Sequence, residues 1–260
     1  MKQKKYALKT ACLYLTGIMS REKKFLVGCS GYYYPNWKNK FYPPKLPSSK
    51  WLEFYSSVFN TVELNGTFYR VPKLTDLKRQ SDNTPDDFRF SVKMNRYITH
   101  VLRLKNTNDR IRDFTALVNE GFEKKLHKIL LQMPPSFHFN EENLMLLEDA
   151  EIGEQNVIEF RHPSWWNDKT LKVLKKKKCT FCNVDFPGME TSFLHSTKDF
   201  YLRLHGNPVL FKSSYDDETL KEFFGMIPEK MKSCSVYFNN TYFSGGYENA
   251  GYFRELTQQK

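Results

Sequence analysis

The sequence predicts a single α/β domain, a TIM-type (β/α)8 barrel. Eight short strand-like runs recur along the chain, helical stretches separate most of them, and a length of 260 residues suits one such barrel. The runs are KFLVGCS, NTVELNG, FRFSVKM, KILLQMP, VIEFRHP, TFCNVDF, YLRLHG and SVYFNN. Each is rich in β-branched or aromatic residues and ends in polar or turn residues, as strands of a buried parallel sheet do.

The connections follow in order. Pro47, Ser48 and Ser49 open KWLEFYSSVF, with serine available as an N-cap. Pro72 precedes KLTDLKRQ, at a position where proline is tolerated. DRIRDFTALVNEGFEKKL carries Ile111, Phe114, Leu117 and Val118 at helical spacing. ENLMLLEDAEI follows the fourth run, and DKTLKVLKKKK follows the fifth with its basic end at the helix C-terminus. DDETLKEFFGMI and YENAGYFREL follow the seventh and eighth. The sixth connection, PGMETSFLHSTKD, is short, and a full helix is not expected there. An open doubly wound sheet is the alternative fold. No G-x-G-x-x-G and no P-loop follows any strand, which weakens it. One barrel domain is expected over residues 21–260, with residues 1–20 a disordered extension or Met19 a natural start.

Composition narrows the class. The chain is 40% hydrophobic and 27% charged, as a globular protein is. A net charge of +11 favours nucleic acid or anionic metabolites as partners. The lysine runs, such as Lys175 to Lys178, read as solvated helix faces. No stretch approaches the ~20 apolar residues of a membrane span. Five cysteines, odd in number and sparse, indicate a reducing, cytoplasmic compartment. Cys179 and Cys182 are three apart on a strand, so they face opposite sides and do not converge on a metal.

The active end of such a barrel is the C-terminal mouth, and polar residues crowd the predicted strand ends. Glu63-x-Asn65, Glu159-x-Arg161 and Arg203-x-His205 each place two polar groups on one strand face. Isolated charges there are costly, so they must be paired or used. Glu63, Glu159, Asp185 and His205 are the candidate acid-base groups. Asn65, Tyr69, Lys93, Gln132, Arg161, Trp165, Arg203 and Asn239 are the candidate ligand contacts. Arginine forks suit carboxylates and phosphates, so an anionic ligand is expected. Tyr32, Tyr33, Tyr34, Trp37, Phe68, Trp165 and Trp166 follow the strands and either stack on a ligand or pack the loops. Gly245-Gly246 would present backbone N–H groups to an anion at a helix start.

At these motifs the chain resembles the YecE-like proteins, the family of domain of unknown function 72. The resembling stretches are VGCSGYYYPNWKNKFYP, FNTVELNGTFYRVP, FRFSVKMNRYITH, ILLQMPPSF, VIEFRHPSWW, YLRLHG and VYFNNT, from about Val27 to Ala250. The resemblance implies a TIM-barrel fold and no particular activity. Two loops depart from the family pattern, NPVLFKSSYDDE and TYFSGGYE, and both bear on the shape of the mouth.

Three functions compete. The first is an enzyme (a hydrolase, lyase or isomerase) acting on a small anionic or sugar-like ligand. The second is a nucleic-acid-associated protein, motivated by the net charge and the mouth aromatics. The third is a hydrolase or isomerase using a divalent metal held by Glu159, Asp185 and His205, although no cofactor is required by the sequence and Arg161 and Arg203 disfavour a cation.

Overall fold

The computed structural model describes residues 24–258, so the extension expected over residues 1–20 and the Met19 start lie outside the described residues. Eight parallel strands run in the order β1-β8-β7-β6-β5-β4-β3-β2. They are β1 (Lys24–Cys29), β2 (Thr61–Leu64), β3 (Arg89–Lys93), β4 (Leu126–Gln132), β5 (Asn156–Glu159), β6 (Thr180–Asp185), β7 (Asp199–Leu204) and β8 (Ser233–Phe238). With alternating helices outside, this is a nearly closed TIM-type barrel. No helix of the described residues is long and apolar enough to cross a membrane.

The helices are α1 (Trp51–Val58), α2 (Gly66–Tyr69), α3 (Leu74–Asp82), α4 (Asn108–Phe122), α5 (Glu141–Asp149), α6 (Asp168–Lys177), α7 (Asp217–Met226) and α8 (Gly245–Gln258). Side-chain caps start three of them: Asn140, Asn167 and Asp216 accept from the backbone N–H of Asn143, Thr170 and Thr219. Two expected starts differ. Ser48 and Ser49 lie in a 3-10 turn, and α1 begins at Trp51 without a side-chain cap. Pro72 lies outside α3, which begins at Leu74 after an extended Lys73.

The connection from β6 to β7 has no helix, and side chains satisfy its backbone instead. Asn183 accepts from Leu194 N at 2.7 Å and donates to Leu194 O at 2.9 Å. Ser196 Oγ accepts from Phe181 N and donates to Cys179 O.

Every neighbouring strand pair shares a backbone ladder except β1 and β2. Side chains bridge that seam. Asn60 accepts from Val27 N at 3.0 Å and donates to Phe25 O at 2.9 Å. The Tyr55 hydroxyl accepts from Cys29 N at 2.7 Å and donates to Thr61 O at 3.1 Å. At Gly28 a Cβ would stand 2.1 Å from Thr61 O, so only glycine permits this approach.

The main core lies between strands and helices, while a smaller cluster of Leu130, Val157, Cys182, Val184, Tyr201 and Tyr237 fills the barrel interior. Cys179 belongs to the first and Cys182 to the second, as strand alternation requires. The interior also holds a polar column. His127 Nε2 meets Ser235 Oγ at 2.8 Å near the strand starts. Above it the Tyr237 hydroxyl meets Thr61 and Ser91. The charged groups of the mouth come next.

Candidate functional site

Strand alternation turns Glu63, Glu159, Arg203 and His205 into the barrel, where all four are buried. Arg203 is the hub. Its Nε reaches both Glu63 oxygens at 3.0 and 3.1 Å, its Nη2 donates to Glu63 Oε1 at 2.6 Å, and its Nη1 donates to Glu159 Oε2 at 2.5 Å. Glu63 accepts further hydrogen bonds from Ser30 Oγ at 2.8 Å and the Tyr201 hydroxyl at 2.7 Å. The other oxygen of Glu159 accepts from Arg161 Nε. Each carboxylate is thus fully engaged, as buried ions must be.

Burial alone would raise the Glu159 pKa, but the guanidinium groups of Arg161 and Arg203 overcome it and hold the carboxyl well below its usual range. His205 is pushed the other way. Burial, then Arg161 and Arg203, keep its imidazole well below the ordinary histidine value and hence neutral. Its Nε2 lies 3.3 Å from Arg161 Nη2 and 3.4 Å from Arg203 Nη1, and its Nδ1 lies 2.8 Å from Asn239 Nδ2. The Asn239 amide donates to Nδ1, so the ring proton sits on Nε2, which also lies 3.6 Å from Glu159 Oε1. The ring edges of Phe186 and Phe211 enclose it.

Above this floor opens a cavity of about 340 Å³. Asn65, Phe68, Tyr69, Lys93, Asn239 and Thr241 are among its walls. Lys93, the last residue of β3, donates to Gln132 Oε1 at 2.7 Å and sits 4.1 Å above the Phe68 ring. Gln132 Nε2 lies 3.4 Å from His100 Nε2, whose Nδ1 meets Thr99 Oγ1 at 2.9 Å. No carboxylate of the described residues stands within ion-pair distance of Lys93 Nζ. Burial, followed by Arg203, lowers the Lys93 pKa to about 8. Burial and then Lys93 lower the His100 pKa to about 4.

Of the residues expected at the site, Asn65, Tyr69, Lys93 and Asn239 line the cavity, and Gln132 holds Lys93. Arg161 lies at the edge of the floor, its side chain 8% exposed and its Cζ 4.3 Å above the Phe186 ring. Glu63, Glu159, Arg203 and His205 form the floor. Three expectations change. Trp165 is wholly buried, stacked between Phe137 and Phe160 with its indole N–H on Phe137 O, so it presents no face to a ligand. Asp185 points away from Glu159 and accepts from Tyr215, Thr191 and Asn207, tying the loops after β6 and β7 together. The trio Glu159, Asp185 and His205 is therefore not assembled around a metal, and no group of three His, Cys, Asp or Glu among the described residues is placed to hold one. Gly245 and Gly246 are buried against Asn240, Ser214 and Thr241, where they allow close packing and do not face the cavity.

The mouth aromatics divide. Trp37 joins Trp165 in the core, whereas Tyr33, Tyr69, Tyr97, Phe211, Tyr242 and Phe243 are exposed on the segments that follow the C-terminal strand ends. Phe211, Tyr242 and Thr99 were not among the expected site residues. Phe211 and Tyr242 sit in the two loops that depart from the family pattern, so periodicity offered no signal for their positions.

Comparison with known proteins points one way. The model of the family "Protein of unknown function DUF72" matches residues 26–260. The UPF0759 protein YunF of Bacillus subtilis is 27% identical, the match covering 80% of this chain and 86% of that protein. The UPF0759 protein YecE of Escherichia coli is 33% identical over 44% of this chain and 43% of its own. The crystal structure of a DUF72 family protein from Thermotoga maritima superposes with a TM-score of 0.82 at 30% identity, covering 90% of this chain and 99% of that one. A DUF72 structure from Enterococcus faecalis, at 18% identity and a TM-score of 0.75, shares the fold.

Proposed function

The chain belongs to the DUF72 family, and from the geometry of its barrel mouth we propose that it binds a small anionic ligand there and acts on it by acid-base chemistry. One observation carries this reading. Three cations, Lys93, Arg161 and Arg203, meet two carboxylates, Glu63 and Glu159, and the charge left over resides on Lys93 at the cavity wall. An anion restores the balance inside a poorly solvated site, where its attraction to Lys93 is strong. Asn239 and Asn65 supply neutral hydrogen-bonding groups on the same wall. The buried ions beneath are the rigid floor, with Arg161 at its edge. His205, neutral and touching both guanidinium groups, is bonded to the cavity-lining Asn239 and is the proton carrier of that floor.

A thermal-shift series tests the reading, with wild type, Lys93→Met and Arg161→Ala against inorganic phosphate, small carboxylates and sugar phosphates. A ligand specific to the folded state raises the melting temperature. The expected result is a rise with at least one anion in wild type that is lost in Lys93→Met. A rise that persists unchanged in both variants would sink the assignment.

The exposed rings around the mouth favour a second reading, a single-stranded nucleic acid stacked on Tyr33, Tyr69, Tyr97 and Tyr242. Lys212 and Arg110 lie over two of these rings, at 5.0 Å from Tyr242 and 5.1 Å from Tyr97. It requires oligonucleotide binding that weakens steeply with salt. No binding at low ionic strength removes it.

A further inference from the structure

We infer that Lys93 is an imine-forming lysine, whose Nζ captures the carbonyl carbon of a small anionic aldehyde, ketone or 2-oxo acid entering the mouth cavity. The inference rests on the anion reading above and names the ligand's reactive group. Four observations support it.

First, Nζ reaches the wall of a cavity large enough for a small metabolite. Secondly, its position is fixed from two sides, by Gln132 Oε1 at 2.7 Å and the Phe68 ring at 4.1 Å. Gln132 is itself held by Met133 O and His100. A nucleophile so placed loses little freedom on reacting. Thirdly, no carboxylate of the described residues grips the ammonium, so losing a proton breaks none of their ion pairs. Burial of the stem first, and then Arg203, favour the neutral amine against the opposing pull of Glu159 and Glu63, which is how a lysine becomes nucleophilic near neutral pH. Fourthly, an iminium carries the same single positive charge as the ammonium it replaces. The Phe68 face and the surrounding charges therefore suit both.

The step balances without any further reactant. The Lys93 ammonium first releases a proton to water; the Nζ lone pair then attacks the carbonyl carbon, the C–N bond forms, and the carbonyl oxygen takes one of the two remaining Nζ protons. The carbinolamine hydroxyl takes back the proton released at the start and leaves as water, and the nitrogen lone pair closes the C=N bond to give the iminium. The ligand's own anionic group meets the surplus charge of the site.

The test treats the full-length protein with pyruvate, glyceraldehyde 3-phosphate or uncharged glyceraldehyde, with sodium cyanoborohydride present to reduce any imine to a stable secondary amine. Peptide mass mapping then locates the adducts. The expected result is modification of Lys93 at least about tenfold above the average lysine, because a lowered pKa exposes more free amine. Pyruvate or the phosphorylated aldehyde should label Lys93 faster than glyceraldehyde does. Lys93→Met should lose this adduct and keep the background on surface lysines. The mapping on wild type decides the matter even if that variant folds poorly. Lys93 unmodified while surface lysines react would overturn the imine. If anions still raise the melting temperature in that case, the anion site stands alone; if they do not, both readings fall. Selective labelling of Lys93 by all three probes at equal rates would keep the imine and remove the anion.

Discussion

Replacing Arg203 by methionine should unfold the molecule more easily than any other single change at the mouth. The side chain is 1% exposed and is the cation that both Glu63 and Glu159 share. In Arg203→Met, Glu159 keeps Arg161, but Glu63 keeps only the hydroxyls of Ser30 and Tyr201. Removing one partner of a buried pair strands the other charge, at about 3–5 kcal/mol. For a domain of this size each kcal/mol lowers the melting temperature by about 2–4 °C, so a fall of roughly 6–20 °C is expected. Urea unfolding at neutral pH measures it, with the slope unchanged if only the native state has been altered. Adding Glu63→Gln removes the stranded charge and should recover about 1 kcal/mol or more relative to additivity. The variant also leaves two cations against two carboxylates, so stabilisation by anions should shrink with it. A loss below about 1 kcal/mol, or a Glu63→Gln effect identical in both backgrounds, would refute the hub.

Acidification and the barrel seam offer two further tests. Burial, then neighbouring cations, hold His205 and His127 neutral in the folded state, His127 down to about 3. The unfolded chain protonates its histidines below about 6.5, so it binds more protons and stability falls with pH, by about 2 kcal/mol per histidine between pH 6.5 and 5. His127→Gln should flatten this dependence of the urea midpoint, and an equally steep profile would disprove its part. Glu159, whose pKa is depressed, adds its own loss only once the pH falls to about 4 and below. Tyr55→Phe leaves the Cys29 N–H without its acceptor at the seam and should cost about 1–3 kcal/mol in urea. Unchanged stability would show that the hydroxyl does not close the barrel.

The barrel was legible because its signals are local. Apolar runs such as KILLQ and VIEF, broken by polar strand ends, report burial on both faces of a parallel strand. The polar pairs Glu63-x-Asn65 and Arg203-x-His205 were legible as inward-facing for the same reason, since alternation is a property of one strand. Trp165 and Asp185 were misplaced because their sequence positions, just beyond or at a strand end, are compatible with either direction. Which way each side chain turns depends on Phe137, Phe160 and Tyr215, which arrive from elsewhere in the chain.

The sequence by itself determined the alternation of strands and helices, the single barrel and the set of charged groups that must meet at one mouth. Only the tertiary structure decided how those charges pair. Arg203 stands 140 residues from Glu63 and 44 from Glu159, and its choice of both leaves Lys93 without a carboxylate partner among the described residues. Pairing is a matter of distances across the closed barrel, set by strand order and register. No local pattern encodes it, and it is this pairing that divides a buried floor from a cation exposed to a ligand.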